Sequence, residues 1–267
     1  MVIVGERINS SRKDIARAIE RRDANFIQNE AKRQAEAGAD YIDVNAGTFL
    51  EDEAEHLAWL VKTVSQSVNK PLCIDTPNPI VLSAALKSYS GRAMINSITA
   101  ETKRRMAFLP LIKQYPCKVV ALCVDDSGIP RTAEAKTRIA GQIISGLTAA
   151  GVIRDDIYID PVVQPIGTDS KSGIAVLEAI EQIVNRYPGV HTICGLSNIS
   201  FGLPLRTRLN RVFLVLAMQR GLDAAIIDPC DMPLMADLVT VEALLGQDDY
   251  CQNYIAAYRQ AKQRPSF

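Results

Sequence analysis

Short apolar runs alternate with amphipathic segments along the whole sequence. The apolar runs have the length and composition of buried parallel strands; they are Val2–Val4, Tyr41–Val44, Leu72–Ile74, Ala93–Ile95, Val119–Val124, Ile157–Ile159, Thr192–Leu196 and Ala224–Ile227. The segments between them repeat apolar residues at helical spacing; they are Phe26–Ala37, Ala54–Ser67, Thr102–Gln114, Ala133–Ala150, Ile174–Arg186, Arg208–Arg220 and Met235–Leu245. Gly38 and Gly151 follow two of these segments, where a helix would end in a left-handed cap.

Eight strands alternating with helices in a chain of 267 residues predict a (β/α)8 barrel, the TIM barrel, as one domain over residues 1–267. The alternative is an open, doubly wound parallel sheet. It is disfavoured because no G-x-G-x-x-G motif follows the first strand. No linker or low-complexity stretch divides the pattern.

Each predicted strand is followed by a carboxylate or a carboxamide. Barrel enzymes place their chemistry at the carboxyl ends of the strands, so these residues are the candidates for a site. In strand order they are Glu6, Arg7 and Asn9; Asp43 and Asn45; Asp75; Asn96; Asp125 and Asp126; Asp160; Asn198; and Asp228. Taken alone, Asp125, Asp126 or Asp228 is explained equally well as a helix cap or turn residue. It is harder to explain as capping alone that all eight predicted strands are followed by a carboxylate or a carboxamide.

The residue types in this ring limit its chemistry. A ring of Asp and Asn with almost no cation is badly suited to binding phosphate or to stabilising an oxyanion. It suits a neutral heterocycle rich in hydrogen-bond donors. A pterin is such a ring, because its 2-amino-N3-H edge pairs with a carboxylate as a guanidinium does.

Charge and hydropathy exclude several kinds of partner. The 30 basic and 30 acidic residues cancel, and no basic stripe interleaved with aromatic residues is present, so nucleic acid is not expected to bind. No apolar run reaches the ~18 residues of a membrane span. Charged residues follow too soon after Met1 for a signal peptide. The cysteines are scattered without a C-x-x-C pair, which favours a reduced, cytoplasmic protein.

The two histidines are poorly placed for catalysis. His56 belongs to a predicted helix and is expected on its solvated face, while His191 precedes the seventh strand, at the wrong end of a barrel. Zinc hydrolysis and Ser-His-Asp chemistry are therefore disfavoured. The cysteines lack metal-ligand spacing, so no intrinsic metal is predicted, and no G-x-x-x-x-G-K-[ST] phosphate loop occurs.

Short segments of the ring together resemble the pterin-binding methyltransferase family. They are Gly5-Glu6-Arg7-Ile8-Asn9, Asp43-Val44-Asn45, Ile74-Asp75, Ile95-Asn96-Ser97, Gly128-Ile129-Pro130, Asp160-Pro161 and Gly195-Leu196-Ser197-Asn198. The resemblance covers nearly the whole chain and is closest to the methyltetrahydrofolate:corrinoid/iron–sulfur protein methyltransferases; the folate domain of cobalamin-dependent methionine synthase is more distant. It implies a homodimeric (β/α)8 barrel. The implied reaction moves the N5 methyl group of methyltetrahydrofolate to the Co(I) corrinoid (cobalamin) of a partner protein, or back.

The resemblance also implies a set of site residues. The residues expected to bind the pterin or the rest of the folate are Asp75, Asn96, Asp160, Ser197, Asn198 and Arg206. Asn198 lies near N5 and is expected to donate a hydrogen bond that strengthens as charge develops there. Asp160, or Asp75, is expected to relay a proton through water. The alternative is that these side chains cap neighbouring backbone.

Several alternatives stay open at this stage. Glu6, Asn9, Asp43 and Asn45 are interpreted as members of a barrel hydrogen-bond network rather than as site residues. Dihydropteroate synthase is also a pterin barrel, but that family carries a Lys after the seventh strand, where this chain has Ser197-Asn198-Ile199. A non-catalytic folate-binding subunit of a corrinoid system is a further alternative. The identity of the corrinoid partner stays open.

Overall fold

The computed structural model of the chain describes residues 1–263, with side chains as far as Arg259. Eight parallel strands form a closed barrel in chain order, and β1 pairs with β8 to complete it. The strands are β1 Val2–Asn9, β2 Tyr41–Asn45, β3 Leu72–Asp75, β4 Met94–Thr99, β5 Lys118–Leu122, β6 Ile157–Asp160, β7 His191–Gly195 and β8 Ala224–Ile227. The predicted (β/α)8 barrel is therefore confirmed.

Helices lie between the strands and around the outside of the barrel. In residues 1–263 they are α1 Lys13–Glu20, α2 Ala24–Glu36, α3 Glu53–Ser65, α4 Pro79–Lys87, α5 Thr102–Gln114, α6 Ala133–Ala149, α7 Ser172–Arg186, α8 Arg206–Gln219, α9 Met232–Leu244 and α10 Gln252–Gln263. The sequence pattern did not predict α1, α4 or α10. None of these helices combines the length and the hydropathy that crossing a bilayer requires.

Three strand ends differ from the prediction by two residues or more. β4 runs on to Thr99 instead of stopping at Ile95, so Asn96 is a strand residue. β1 runs on to Asn9 instead of stopping at Val4, with a shift in its pairing to β2 between Gly5 and Ile8. β5 stops at Leu122, because the chain turns there and the N–H of Val124 donates to the Leu122 carbonyl (2.7 Å). Glu6 is consequently a strand residue rather than a loop residue.

Local signals in the sequence explain where several helices begin and end. Side-chain oxygens accept a first-turn backbone N–H at four helix starts; the capping residues are Asp23, Asn78, Thr132 and Asp231. Gly38 and Gly151 have φ values of 106° and 94°, as the predicted left-handed caps require. These caps help to fix the strand ends that the helices adjoin.

Because side chains alternate along the strands, the polar residues of the site lie directly above a cluster of apolar residues inside the barrel, here called the plug. Successive strand residues point to opposite faces, so a polar residue two positions after an inward apolar residue also points inward. The plug inside the barrel consists of Val4, Cys73, Met94, Val120, Tyr158, Ile193 and Ala224. Glu6, Asp75, Asn96 and Asp160 each lie two residues after a member of that plug. The plug thus closes the barrel beneath the polar residues.

Candidate active site

A cavity of about 750 Å³ opens at the carboxyl ends of the strands. All of the binding residues expected from the sequence line it, namely Asp75, Asn96, Asp160, Ser197, Asn198 and Arg206. Glu6, Asn9, Asp43 and Asp228 line it as well. Because one cavity brings these side chains together, it is the candidate active site.

Two carboxylates of the ring lie elsewhere. Asp125 and Asp126 line a larger groove, of about 910 Å³, on the outside of the barrel between α5 and α6. Asp126 accepts hydrogen bonds from the backbone N–H (3.1 Å) and the hydroxyl (2.7 Å) of Thr102, at the start of α5. The turn and cap interpretation therefore fits these two residues. We place the site in the smaller cavity because the strand ends converge there.

Asp75, the last residue of β3, is held by a neighbouring carboxamide. Asn45 donates from Nδ2 to Asp75 Oδ2 (3.0 Å), and its own Oδ1 accepts the backbone N–H of Gly47 (2.9 Å). Burial raises the pKa of Asp75 above its ordinary value, although the Asn45 hydrogen bond and the charge of Arg104 oppose the shift. Asn45 is thus a network residue, as expected, and orients Asp75.

Asp43 lies beside Asp75 and is buried, with 2% of its surface exposed. Burial raises its pKa well above the ordinary value, and the neighbouring charge of Asp75 raises it further. Its Oδ1 is buried without a hydrogen-bond partner among the described residues. A buried carboxyl oxygen of this kind favours the protonated form, in which the group can also donate.

Asp160, at the end of β6, is buried between the barrel wall and the cavity. Its Oδ1 accepts the backbone N–H of Val162 (2.7 Å), and the backbone N–H of Gly195 also donates to it. Burial raises the pKa of Asp160 to about 6, while these donors and the charge of Lys136 oppose the shift. The carboxyl group is therefore fixed in orientation and close to changing its charge near neutral pH.

The segment after β7 forms a short 3-10 turn, Leu196–Ser200, that presents Ser197 and Asn198 to the cavity. Arg206, the first residue of α8, secures this turn by donating to the Ser197 carbonyl (2.8 Å) and to the Ser200 hydroxyl (3.1 Å). Asn198 is exposed. A side chain added at Gly195 would come within 3.2 Å of Asn198 Nδ2, so this glycine leaves room for the amide.

Glu6 is the residue of the cavity that sequence reasoning undervalued. Burial raises its pKa from 4.5 to about 7, and the charge of Asp228 adds to the shift; Arg12, Arg206 and Arg7 oppose it. The signal in the sequence was the spacing from Val4, which puts Glu6 on the inner face once β1 is extended.

Neither histidine is among the residues that line the cavity. His191 begins β7 at the amino end of the barrel, where its Nδ1 lies 2.6 Å from Asp223 Oδ2. His56 is half-buried on its helix, with its ring 4.2 Å from the ring of Phe49 and its Nδ1 shielded from solvent. Within residues 1–259, no group of three or more His, Cys, Asp or Glu side chains is placed to hold a metal ion.

Comparisons with known proteins identify a family model and several relatives that are similar to this chain. The family described as pterin binding enzyme matches residues 5–228. Methylcorrinoid:tetrahydrofolate methyltransferase of Eubacterium limosum is 38% identical over 267 residues, covering 99% of this chain and 98% of that protein. Methionine synthase of Mycobacterium tuberculosis is 33% identical over 240 residues, which are 85% of this chain but 20% of that enzyme.

Solved structures with the same fold include dihydropteroate synthase from Xanthomonas albilineans in complex with 7,8-dihydropteroate. It superposes with a TM-score of 0.69 over 92% of both chains at 21% sequence identity. The dihydropteroate synthase of Yersinia pestis gives the same TM-score at 17% identity. At these identities the likeness establishes the barrel fold and nothing about the reaction.

Proposed function

Because the chain belongs to the family of pterin-binding enzymes and is similar over nearly its whole length to a methylcorrinoid:tetrahydrofolate methyltransferase, we propose that it is a methyltransferase. It moves a methyl group between N5 of methyltetrahydrofolate and the cobalt corrinoid of a partner protein. The observation that carries this proposal is the convergence of Asp75, Asn96 and Asp160 on one cavity at the open end of the barrel.

These three side chains have the chemistry to bind the donor edge of a pterin. Carboxylates accept the paired N–H groups of a guanidine-like edge, and a carboxamide supplies one donor and one acceptor. Burial has already removed much of the water from Asp75 and Asp160, which raises their pKa values. Donors brought by the ligand favour the ionised carboxylates, so binding and ionisation are coupled.

The reaction also needs a proton at N5. In transfer to the corrinoid, the N5–methyl bond breaks with its electron pair left on nitrogen, while the electron pair of Co(I) forms the new bond to carbon. N5 therefore gains a proton, and the reverse reaction releases one. We propose that Asn198 donates a hydrogen bond to N5 in the transition state. Glu6 holds the proton, because a pKa of about 7 leaves it half protonated at neutral pH. Asp160 or Asp75, each of which lines the same cavity, relays it through water.

A single-turnover assay tests the proposal. Methyltetrahydrofolate is mixed with the protein and with Co(I) cobalamin or a corrinoid protein, and the loss of the Co(I) absorbance is followed. Asn198→Ala should bind tetrahydrofolate almost normally but transfer the methyl group roughly 100- to 1000-fold more slowly, the usual effect of losing one preorganised donor. Asn69→Ala, at an exposed asparagine before β3, is the control.

Two outcomes would contradict the proposal. Tetrahydrofolate binding without transfer to any corrinoid acceptor would favour a non-catalytic folate-binding subunit. An Asn198→Ala variant that transfers at the wild-type rate under saturating folate would remove the proposed role of Asn198. Dihydropteroate synthesis is disfavoured because residues 196–205, after β7, contain no lysine.

Assembly and location are further parts of the proposal. We propose a homodimer, which is supported by exposed apolar side chains on and between α9 and α10, including Leu244, Tyr250 and Ile255. Light scattering would measure its mass. We also propose a cytoplasmic location, supported by six free cysteines, four of them buried.

A further inference from the structure

The core-facing side of α6 contains one charged residue. Its buried residues include Ala133, Ile139, Ala140 and Ile143, at the spacing of an amphipathic helix. Lys136 occupies the same face and has only 2% of its surface exposed. Lysine is almost never fully buried unless it is paired, because removing the ammonium group from water is costly. This position therefore requires an explanation beyond packing.

The ammonium group binds the backbone directly after Asp160. Lys136 Nζ donates to the carbonyl of Pro161 (2.6 Å) and to that of Val162 (3.1 Å). Val162 has a φ of 60°, a left-handed conformation that is unfavourable for a β-branched residue. The backbone N–H of Val162 in turn donates to Asp160 Oδ1 (2.7 Å). A continuous chain of contacts thus joins Lys136 to the carboxyl group in the cavity.

The titratable groups that face Asp160 come from three parts of the barrel. Lys136 faces it from α6, while Cys123 faces it just beyond β5 and Cys194 from β7. Burial and the charge of Asp160 raise the pKa of both thiols far above the ordinary value, so they stay neutral. The backbone N–H of Val162 is the strongest opponent of the effect of burial on the carboxyl, and Lys136 is the charged group that opposes it beside that donor.

We propose that Lys136 is a positioning residue of the pterin site, which holds the Pro161–Val162 segment so that Asp160 presents a fixed, ionised carboxylate to the ligand. This proposal rests on the proposed function, since it takes a pterin as the ligand of Asp160. Lys136 touches no reacting atom. Lys136 acts on Asp160 in two ways, by holding the backbone of Val162 and by the charge of its own ammonium group.

Tetrahydrofolate binding, measured by calorimetry between pH 5.5 and pH 8, tests the proposal. Lys136→Met should lower the affinity about tenfold at pH 7.5, by loosening Asp160 and leaving its carboxyl less ionised. The loss of affinity on acidification should also begin at a higher pH than in the wild type. Lys136→Arg, which keeps the charge and the donors, should stay within about threefold of the wild type. Lys62→Met, at an exposed lysine of α3, is the control.

A double-mutant cycle separates positioning from a purely structural role. In the Asp160→Asn background, Lys136→Met should change affinity by less than about twofold, because the group it positions no longer ionises. A structural role predicts the same loss in both backgrounds, in proportion to the unfolded fraction. Lys136→Gln keeps a donor group without the charge. It replaces Lys136→Met if the latter does not fold, and should shift the pH profile in the same direction.

The outcomes distinguish this proposal from the proposed function. Wild-type affinity and an unshifted pH profile in Lys136→Met, or in Lys136→Gln, would overturn the role of Lys136 alone. Equal effects of Lys136→Met in the wild-type and Asp160→Asn backgrounds would overturn it as well. A wild-type protein that does not bind tetrahydrofolate would overturn both proposals.

Discussion

Replacing Glu6 by glutamine should stabilise the fold at alkaline pH and slow methyl transfer. Its carboxyl group is buried and its pKa is raised from 4.5 to about 7. A carboxyl group whose pKa is higher in the folded state contributes stability at low pH, which is lost as the pH rises from about 4.5 to about 7. Glutamine resembles the protonated form at every pH. The variant should therefore escape that loss.

The size of the effect follows from the rise in the pKa of Glu6. One pKa unit corresponds to about 1.4 kcal/mol, so a rise from 4.5 to about 7 corresponds to about 3 kcal/mol at pH 8. At pH 5 most of that difference has disappeared. The stability of Glu6→Gln relative to the wild type should consequently increase by about 2–3 kcal/mol between pH 5 and pH 8.

Urea unfolding of both proteins at the two pH values measures this difference. Glu20→Gln, at an exposed glutamate of α1, is the control and should show no comparable change. In the transfer assay, the rate of methyl transfer by Glu6→Gln should be lower near pH 7 and should depend less on pH, because glutamine cannot hold and release a proton. A stability difference that is the same at pH 5 and pH 8 would show that Glu6 is not perturbed and would refute the reasoning.

Two further predictions concern the two ends of the barrel. Tetrahydrofolate affinity should fall below about pH 6, by up to about tenfold per pH unit, because binding favours ionised Asp160 and burial raises its pKa to about 6; calorimetry that gives a flat profile from pH 5 to pH 7.5 would contradict this. At the amino end, Asp223 raises the pKa of His191, so the stability from this pair is present below the ordinary histidine pKa and is lost as the pH rises through the raised one. His191→Gln should remove that pH dependence of the free energy of unfolding. The effect should be smaller than about 1 kcal/mol because the ring is partly exposed, and unfolding of the wild type and the variant at pH 6 and pH 9 measures it.

The barrel could be predicted because its signals are local. Buried parallel strands are continuous apolar runs, and their number and spacing leave few folds to choose from. The face of the barrel that holds the site was predictable as well, because the carboxyl ends of the strands in a parallel barrel all meet there. α1 and α4 were missed because they are only 8 and 9 residues long, so neither shows an extended helical pattern.

The contacts that tune the site could not be predicted, because they join segments far apart in the chain. Asn45 orients Asp75 from 30 residues away, and Lys136 reaches Pro161 from 25 residues away. The β1 strand was cut short in the prediction because Gly5-Glu6-Arg7 interrupts its apolar run. In the structure Glu6 points into the cavity, whereas Arg7 pairs with Glu30 and Asp228. Only the three-dimensional neighbours of such residues reveal what they do.

The carboxyl groups of the cavity also explain why this barrel should bind a neutral, donor-rich ligand tightly. Burial raises the pKa values of Glu6, Asp43, Asp75 and Asp160, so each is less stable as an anion than it would be in water. For Asp160, whose pKa of about 6 leaves it mostly ionised at neutral pH, the energy of desolvating the charge is spent during folding rather than during binding. A ligand that brings N–H donors then gains charge-assisted hydrogen bonds at a low further cost. The same groups lower the free energy of unfolding of the free protein near neutral pH. The feature that strengthens ligand binding therefore also makes the fold less stable.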